Sequence, residues 1–434
     1  MGDISGFLER LYDLLKYDEI RKSLFVVLPI MGLIGFFVGR NFPFSRKRTT
    51  TIIDGPIKNP TPDARIGELE NIVENLRKQV AIGPEAVKRL REAVATTGPG
   101  LWLAVPPDFP SNYHVVKSSI PIYTIANLKG GVGKTTIATG LAAYFANPFG
   151  EPNRERERVL LIDLDFQGSL SSMALTYDER IPHNGQLSRS TLLLSGKYGG
   201  ADLVQLHQRV KGLNPNSGVQ FYAIPTHYDL AQAENRLMIE WLLGNGSRDM
   251  RYNLAEVLFS DEVQGRYDRI IIDAPPRLTT AHVQALAAST HVLIPTVLDQ
   301  LSGEAVGSFV EQAFLHRSLW PHLKIIGVVG SMTDRSPAFD LRDYEERGIV
   351  AIEKALEQVE DRYGLRGAPT VVLPRTGFIP QLAELGKAAG TRIGYLDDAN
   401  NGATRNLRRA FDDLGQAVVQ RLPYVKEWRD LIRL

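Results

Sequence analysis

Cysteine is absent from the 434-residue chain. Without a thiol, disulfide frameworks, thiolate zinc sites, cysteine-ligated iron–sulfur clusters and cysteine nucleophiles are excluded. A reducing, cytosolic address fits most of the chain. A strong charge of one sign is also missing: 50 Lys and Arg face 49 Asp and Glu, a formal net charge of +1. A chain without a basic excess lacks the electrostatic footprint of a dedicated nucleic-acid protein. What is present is an ordinary globular balance, 44% apolar and 23% charged. That excludes wholesale disorder and fibrous repeats. The length suits roughly two to three domains' worth of chain.

The near-neutral total hides a split. Residues 1–117 hold 16 basic and 13 acidic side chains, a net +3, which leaves 34 and 36, a net −2, for residues 118–434. In the basic part, Leu24 to Gly39 reads LFVVLPIMGLIGFFVG, 16 residues without a charge. As a helix it spans roughly 24 Å, against a hydrocarbon core of about 30 Å. Arg21, Lys22 and Arg40 flank it and can snorkel to the interfaces. The expectation is a transmembrane helix over 24–39, with a buried core helix as the alternative. Asp3, Glu9, Asp13, Asp18 and Glu19 precede the run, which argues against a signal peptide. Arg46, Lys47 and Arg48 suit a cytoplasmic side, but Arg10, Lys16, Arg21 and Lys22 nearly balance them. The expected placement is single-pass in a bacterial inner membrane, with the main domain cytoplasmic.

The rest of the arm divides by pattern. Residues 1–23 carry an amphipathic stretch, with Phe7, Leu8, Leu11, Leu14 and Leu15 on one helical face. Residues 40–65 read as a linker, rich in Thr, Pro and Gly toward their end. A helical connector is expected over 66–117. In it Ile66, Leu69, Val73, Leu76 and Val80 make a short heptad seam, or equally the apolar face of a helix packed on its own domain.

From Ile120 the pattern changes. Apolar runs of strand length alternate with helical patterns, the mark of a parallel α/β sheet. Strands are expected at 121–126, 159–163, 218–224, 268–272, 291–297, 324–330 and 369–373. The first runs into Lys129-Gly130-Gly131-Val132-Gly133-Lys134-Thr135-Thr136, followed by a helix. Strand, glycine loop, helix is the setting of a phosphate-binding loop. Its backbone N–H groups and the helix N-terminus suit phosphate oxygens. Lys134 suits the β- and γ-phosphates of ATP, and Thr135 suits Mg²⁺. Leu128 stands where the usual motif has its first glycine. Three carboxylates of interest follow apolar strands: Asp163 and Asp165 after Val159–Ile162, and Asp273 after Ile270–Ile272, before Ala274-Pro275-Pro276.

The loop resembles the deviant Walker A motif of ParA/MinD-type ATPases. Asp163-Leu164-Asp165-Phe166-Gln167-Gly168 resembles the switch I segment of that family, with Phe166 in place of proline. Ile270–Pro276 resembles its Walker B and switch II. Weaker echoes lie at Tyr222–Pro225 with Leu230, Ala231 and Glu234, at Ile294–Thr296 with Asp299, and at Val371–Gly377. The resemblance covers about 121–421 and implies a mostly parallel P-loop sheet flanked by helices. It further implies an ATPase domain over 118–421 that homodimerises face to face on binding ATP and Mg²⁺. Lys129 would then reach the nucleotide of the second copy, Asp165 would position the attacking water, and Asp163, with Thr135 and Asp273, would support the metal. Pro374 and Arg375 would lie near the adenine. A protein activator or cargo is implied but not named.

Two other readings stay open. Bacterial tyrosine kinases share a membrane helix ahead of a P-loop domain, but their tails are tyrosine-rich and this one has Tyr424 alone after Tyr395. A nucleotide-gated scaffold without hydrolysis is the second. Nonspecific DNA binding through Arg405, Arg408, Arg409 and Arg421 is admitted by the resemblance but not favoured by the net −2. The tail 422–434 reads as a terminal helix, packed or membrane-associating.

Overall fold

A computed structural model describes residues 101–427, apart from 104–105, 111–112, 114–117, 148, 150–153, 183–185, 243–247, 335–340, 366–370 and 398–400. The amphipathic stretch, the run Leu24–Gly39, the linker and the heptad seam therefore lie outside the described residues. One expectation is corrected. No helix among the described residues is long and apolar enough to cross a membrane, which overturns the single-pass inner-membrane placement. The physical weakness was length, since 16 residues fall short of the ~20 that span a bilayer.

Eight strands form one sheet in the order β3-β4-β2-β5-β1-β6-β7-β8. They are β1 (Ile122–Ile125), β2 (Val159–Asp163), β3 (Gln208–Arg209), β4 (Phe221–Ile224), β5 (Arg269–Asp273), β6 (His291–Val297), β7 (Lys324–Thr333) and β8 (Ile379–Pro380). All neighbours pair in parallel except β3 with β4. Every residue of β1, β2 and β5 is buried. That is why these strands read as unbroken apolar runs rather than as alternating ones. Burying each Ile, Val or Leu in them contributes about 1.5–3 kcal/mol.

The main helices are α1 (Lys134–Ala146), α2 (Ser169–Ala174), α3 (Asp229–Leu242), α4 (Thr280–Ala287), α5 (Gln300–Leu315), α6 (Asp343–Tyr363) and α7 (Gly402–Arg421). Helix α1 is buried along almost its whole circumference. Its alanines and its one glycine, Gly140, let α7 come close, through a reciprocal pair of notches. A Cβ on Gly140 would fall 2.2 Å from the Phe411 ring, and one on Gly415 would fall 2.0 Å from the Tyr144 ring. Helices α5 and α6 meet in the same way, with Gly303 against the Ala351 backbone and Gly307 against the Ala355 methyl.

The expected strands coincide with observed ones, to within a few residues, in six cases. At 369–373 the described residues form only one bridge, Val372 with Val328, and the sheet's edge is made instead by β8. In the tail, Leu422–Tyr424 is a single 3₁₀ turn, and residues 428–434 lie outside the described residues.

Candidate nucleotide site

The loop joining β1 to α1 opens at the C-terminal edge of the central strands, where crevices of open α/β sheets bind ligands. Gly131 and Gly133 have φ of +71° and +77°, a region that side chains with a Cβ rarely enter. Around Gly130 and Gly131 a Cβ would meet nothing within 4 Å, so their glycine is not explained by internal packing. Asn127 pins the start of the loop: its Nδ2 donates to the Pro295 carbonyl at 2.8 Å, and its Oδ1 accepts from the Lys129 N–H at 3.0 Å. The far side is pinned by Ser331 of β7, whose hydroxyl donates to the Val132 carbonyl at 2.8 Å. Lys134, the first residue of α1, arches back over the loop and donates to the Lys129 carbonyl at 3.0 Å. Burial pushes its ammonium below the usual lysine range, and the charges of Asp273 and Asp165 work against that shift.

Two carboxylates end adjacent strands in register, Asp163 on β2 and Asp273 on β5. Both are almost wholly buried. Asp163 is tied to the start of α2, accepting from the Ser171 N–H at 2.8 Å and the Ser171 hydroxyl at 2.6 Å. Desolvation still raises it to about 7, with the nearby Asp165 adding to the rise. Asp273 is raised well above its ordinary value, first by burial and then by the Asp163 charge. Its Oδ2 accepts from the Thr135 hydroxyl at 2.6 Å. Its Oδ1 is buried without a hydrogen-bond partner. An ionised carboxylate here feels the Lys134 charge, but its Oδ1 has no hydrogen-bond donor among the described residues, which is costly for a buried charge. That vacancy in the donor set fits a magnesium ion with its waters, beside the Thr135 hydroxyl. Among the described residues, no cluster of three or more His, Asp or Glu side chains is arranged to hold a metal on its own. Magnesium at nucleotide sites is commonly held by one or two carboxylates plus phosphates, so the two observations agree.

Asp165 is half-buried at the mouth of this cleft. Its backbone N–H donates to Asp163 and its Oδ1 accepts from the Gln167 N–H at 3.2 Å. Lys129 lies in the loop itself and is held within its own chain. Its ammonium pairs with Asp299 at 3.1 Å and donates to the Ser302 hydroxyl at 3.2 Å. Asp299 also caps α5 by accepting from the Ser302 N–H at 2.8 Å. Burial opposes its ionisation, but the bonds from Ser302 and Lys129 prevail and hold its carboxyl below the usual range.

A cavity of about 320 Å³ adjoins the loop through Gly133 and Thr136. Its walls include Met332, Pro380, Gln381 and Leu382. Met332 has φ +55°, the sole positive value at a non-glycine residue among those described. Such strain collects at functional sites. Sequence reasoning missed this cavity, because its walls come from the end of β7, from β8 and from the segment after β8, roughly 200 to 250 residues beyond the loop. Pro374 and Arg375, expected near the adenine, are not in its lining. Arg375 instead pairs with Glu346 at 2.6 Å. The arginines through which DNA binding is admitted but not favoured are partly engaged within the chain. Arg408 donates to the carbonyls of Tyr395 and Asp397 and lies over the Phe149 ring, and Arg421 donates to Ile326.

A phosphate-type loop, paired strand-end carboxylates and a mostly parallel sheet define a P-loop nucleotide-binding α/β protein of ParA/MinD type. Comparisons with known proteins agree. Residues 120–325 match a family model described as an AAA domain. The chain is 34% identical over 215 residues to the chromosome partitioning protein ParA of Caulobacter vibrioides, covering 49% of this chain and 70% of that protein. It is 30% identical over 222 residues to the chromosome-partitioning ATPase Soj of Thermus thermophilus, covering 51% and 72%. In fold it resembles the Cyanothece McdA–ATP complex, with TM-score 0.50 and 18% identity over 70% of this chain and 98% of that one. The chain belongs to the ParA family of partition ATPases.

Proposed function

We propose that this protein is a nucleotide switch that binds ATP with Mg²⁺ in the cleft, pairs face to face with a second copy, and hydrolyses ATP to reset. The observation that carries the reading is the buried, unpartnered Oδ1 of Asp273 beside the Thr135 hydroxyl. The glycines of the loop leave open space that a phosphate chain can fill, and the N-terminus of α1 adds partial positive charge. Lys134 exchanges the Lys129 carbonyl for phosphate oxygens. The cavity walled by Met332, Pro380 and Leu382 takes the base. Magnesium, when bound with the nucleotide, neutralises phosphate charge and the Asp273 carboxylate. Asp163 keeps the metal-facing edge ordered through α2, and Asp165 orients the attacking water.

Lys129 has one step to make. To act on the nucleotide of a second copy it leaves Asp299 and Ser302. That exchange resembles the role of an arginine finger, which stabilises transition-state charge. Hydrolysis and phosphate loss return Lys129 to Asp299 and separate the copies. What the switch controls, an activator or a cargo, is set by a protein partner.

Titration calorimetry with ATP, with and without Mg²⁺, tests the site. The wild-type chain is expected to bind more tightly with Mg²⁺. Lys134→Ala is expected to weaken binding roughly 10- to 100-fold, the loss of charge-assisted contacts. Equal binding by wild type and Lys134→Ala would place the nucleotide elsewhere.

A further inference from the structure

Residues 101–113 precede β1 and lie outside the stretch matched by the family model. Their described residues nevertheless pack on the segment that follows Asp273. The Trp102 side chain is 5% exposed, and its indole N–H donates to the Leu278 carbonyl at 3.2 Å. Leu278 lies five residues past Asp273 and two before α4. At the other end of α4, the Tyr113 hydroxyl donates to the Ala287 carbonyl at 2.8 Å. The strap thus touches both ends of the stretch from Leu278 to Ala287.

Its seat is built, not incidental. Trp102 stacks on Trp241 of α3, with centroids 5.9 Å apart. The Arg251 guanidinium lies over the Trp241 ring at 4.6 Å and is wholly buried. It donates to the carbonyls of Trp102 and Pro106 while pairing with Asp249. Asp249 in turn accepts from the Asp108 N–H at 3.1 Å. A buried arginine whose donors go to strap carbonyls fixes the strap against the domain. By contrast, the space beside Leu278 is loose. A cavity of about 480 Å³, walled by Trp102, Met238, Leu278, Thr279 and Leu315, leaves the segment room to shift. Glu234 lines the same cavity and holds the start of α4 by accepting from the Ala281 N–H at 2.7 Å.

We propose that Trp102 is a positioning residue for the segment after Asp273, so that the nucleotide state of the cleft and the seating of the strap are coupled. The inference rests on the reading of the cleft as a nucleotide site. Coupling of this kind is reciprocal: what the nucleotide does to the strap, the strap does to the nucleotide.

The stacked pair Trp102–Trp241 supplies a probe, because two close indoles give an exciton-coupled circular-dichroism band. In the full chain, MgATP is expected to change the amplitude of that band. Trp102→Phe keeps an aromatic ring on Trp241 but removes the donor to Leu278. It is expected to lower kcat about three- to tenfold, the effect of one lost hydrogen bond, with KM for ATP nearly unchanged. A lower melting temperature with normal kcat, or saturable MgATP binding that leaves the wild-type band unchanged, would overturn the positioning role and spare the nucleotide site. Failure of calorimetry to detect any ATP binding would instead overturn the site, and the inference with it.

Discussion

Asp163 and Asp273 are two buried carboxyls that crowd each other at the ends of adjacent strands. They sit side by side in the sheet, nearly free of solvent, and burial raises both. A carboxyl whose folded pKa, about 7 for Asp163, exceeds its unfolded value near 4 is protonated more readily in the fold. Its stabilising contribution is full below ~4 and is lost as pH rises through ~7. His282 and His291 work in the opposite sense. Burial lowers them to about 4 and about 3, so their contribution is present above ~6.5 and lost as pH falls. Replacing one carboxylate separates the two effects. Asp273→Asn is expected to raise the melting temperature of the nucleotide-free protein by at least ~2 °C at pH 8, and by less at pH 5. Differential scanning calorimetry checks this, and a loss of stability at pH 8 would contradict it. These residues were legible in the sequence because each directly follows an apolar strand. The pairing of Lys129 with Asp299, 170 positions away, was not. Only the fold brings the loop beside the cap of α5.

Among the elements, the contact of α1 with α7 sets how firmly the phosphate loop is backed. Helix α1 begins at the loop, and its Gly140 and Tyr144 interlock with Phe411 and Gly415 of α7. A methyl at Gly415 would meet a buried tyrosine ring rather than a flexible chain end. Gly415→Ala is therefore expected to destabilise the protein by about 1–3 kcal/mol, the usual penalty of overpacking. A urea melt reads it as a lower midpoint with an unchanged slope. An unchanged midpoint would mean that the two helices can separate freely. The central strands were readable for the reason they are buried: both faces are covered, so their sequences are continuously apolar. The edges were not readable. β3 and β8 are two residues each and exist only through pairing with β4 and β7. Nothing in such short segments marks them as strands.

For the whole molecule, the ParA/MinD-type P-loop reading was legible in local motifs, while the surroundings of the site were not. The strap that carries Trp102 falls, in sequence, within the helical connector expected over 66–117, and nothing in it marks a contact with the segment after Asp273. Its anchor, Arg251, carries no motif. The cavity beside the loop joins Gly133 and Thr136 to residues roughly 200 or more positions away. The transmembrane expectation rested on an apolar run with basic flanks, and no helix of the described residues is both long and apolar enough to cross a membrane. The central claim is that nucleotide draws two copies together by freeing Lys129 from Asp299. Sedimentation velocity of the full chain with saturating MgATP tests it most directly, in the slowly hydrolysing background Asp165→Ala. The account predicts a dimer for Asp165→Ala and a monomer once Lys129→Ala is added, with ATP still bound to both. A monomer in the first case, or a dimer that forms equally well without Lys129, would contradict it.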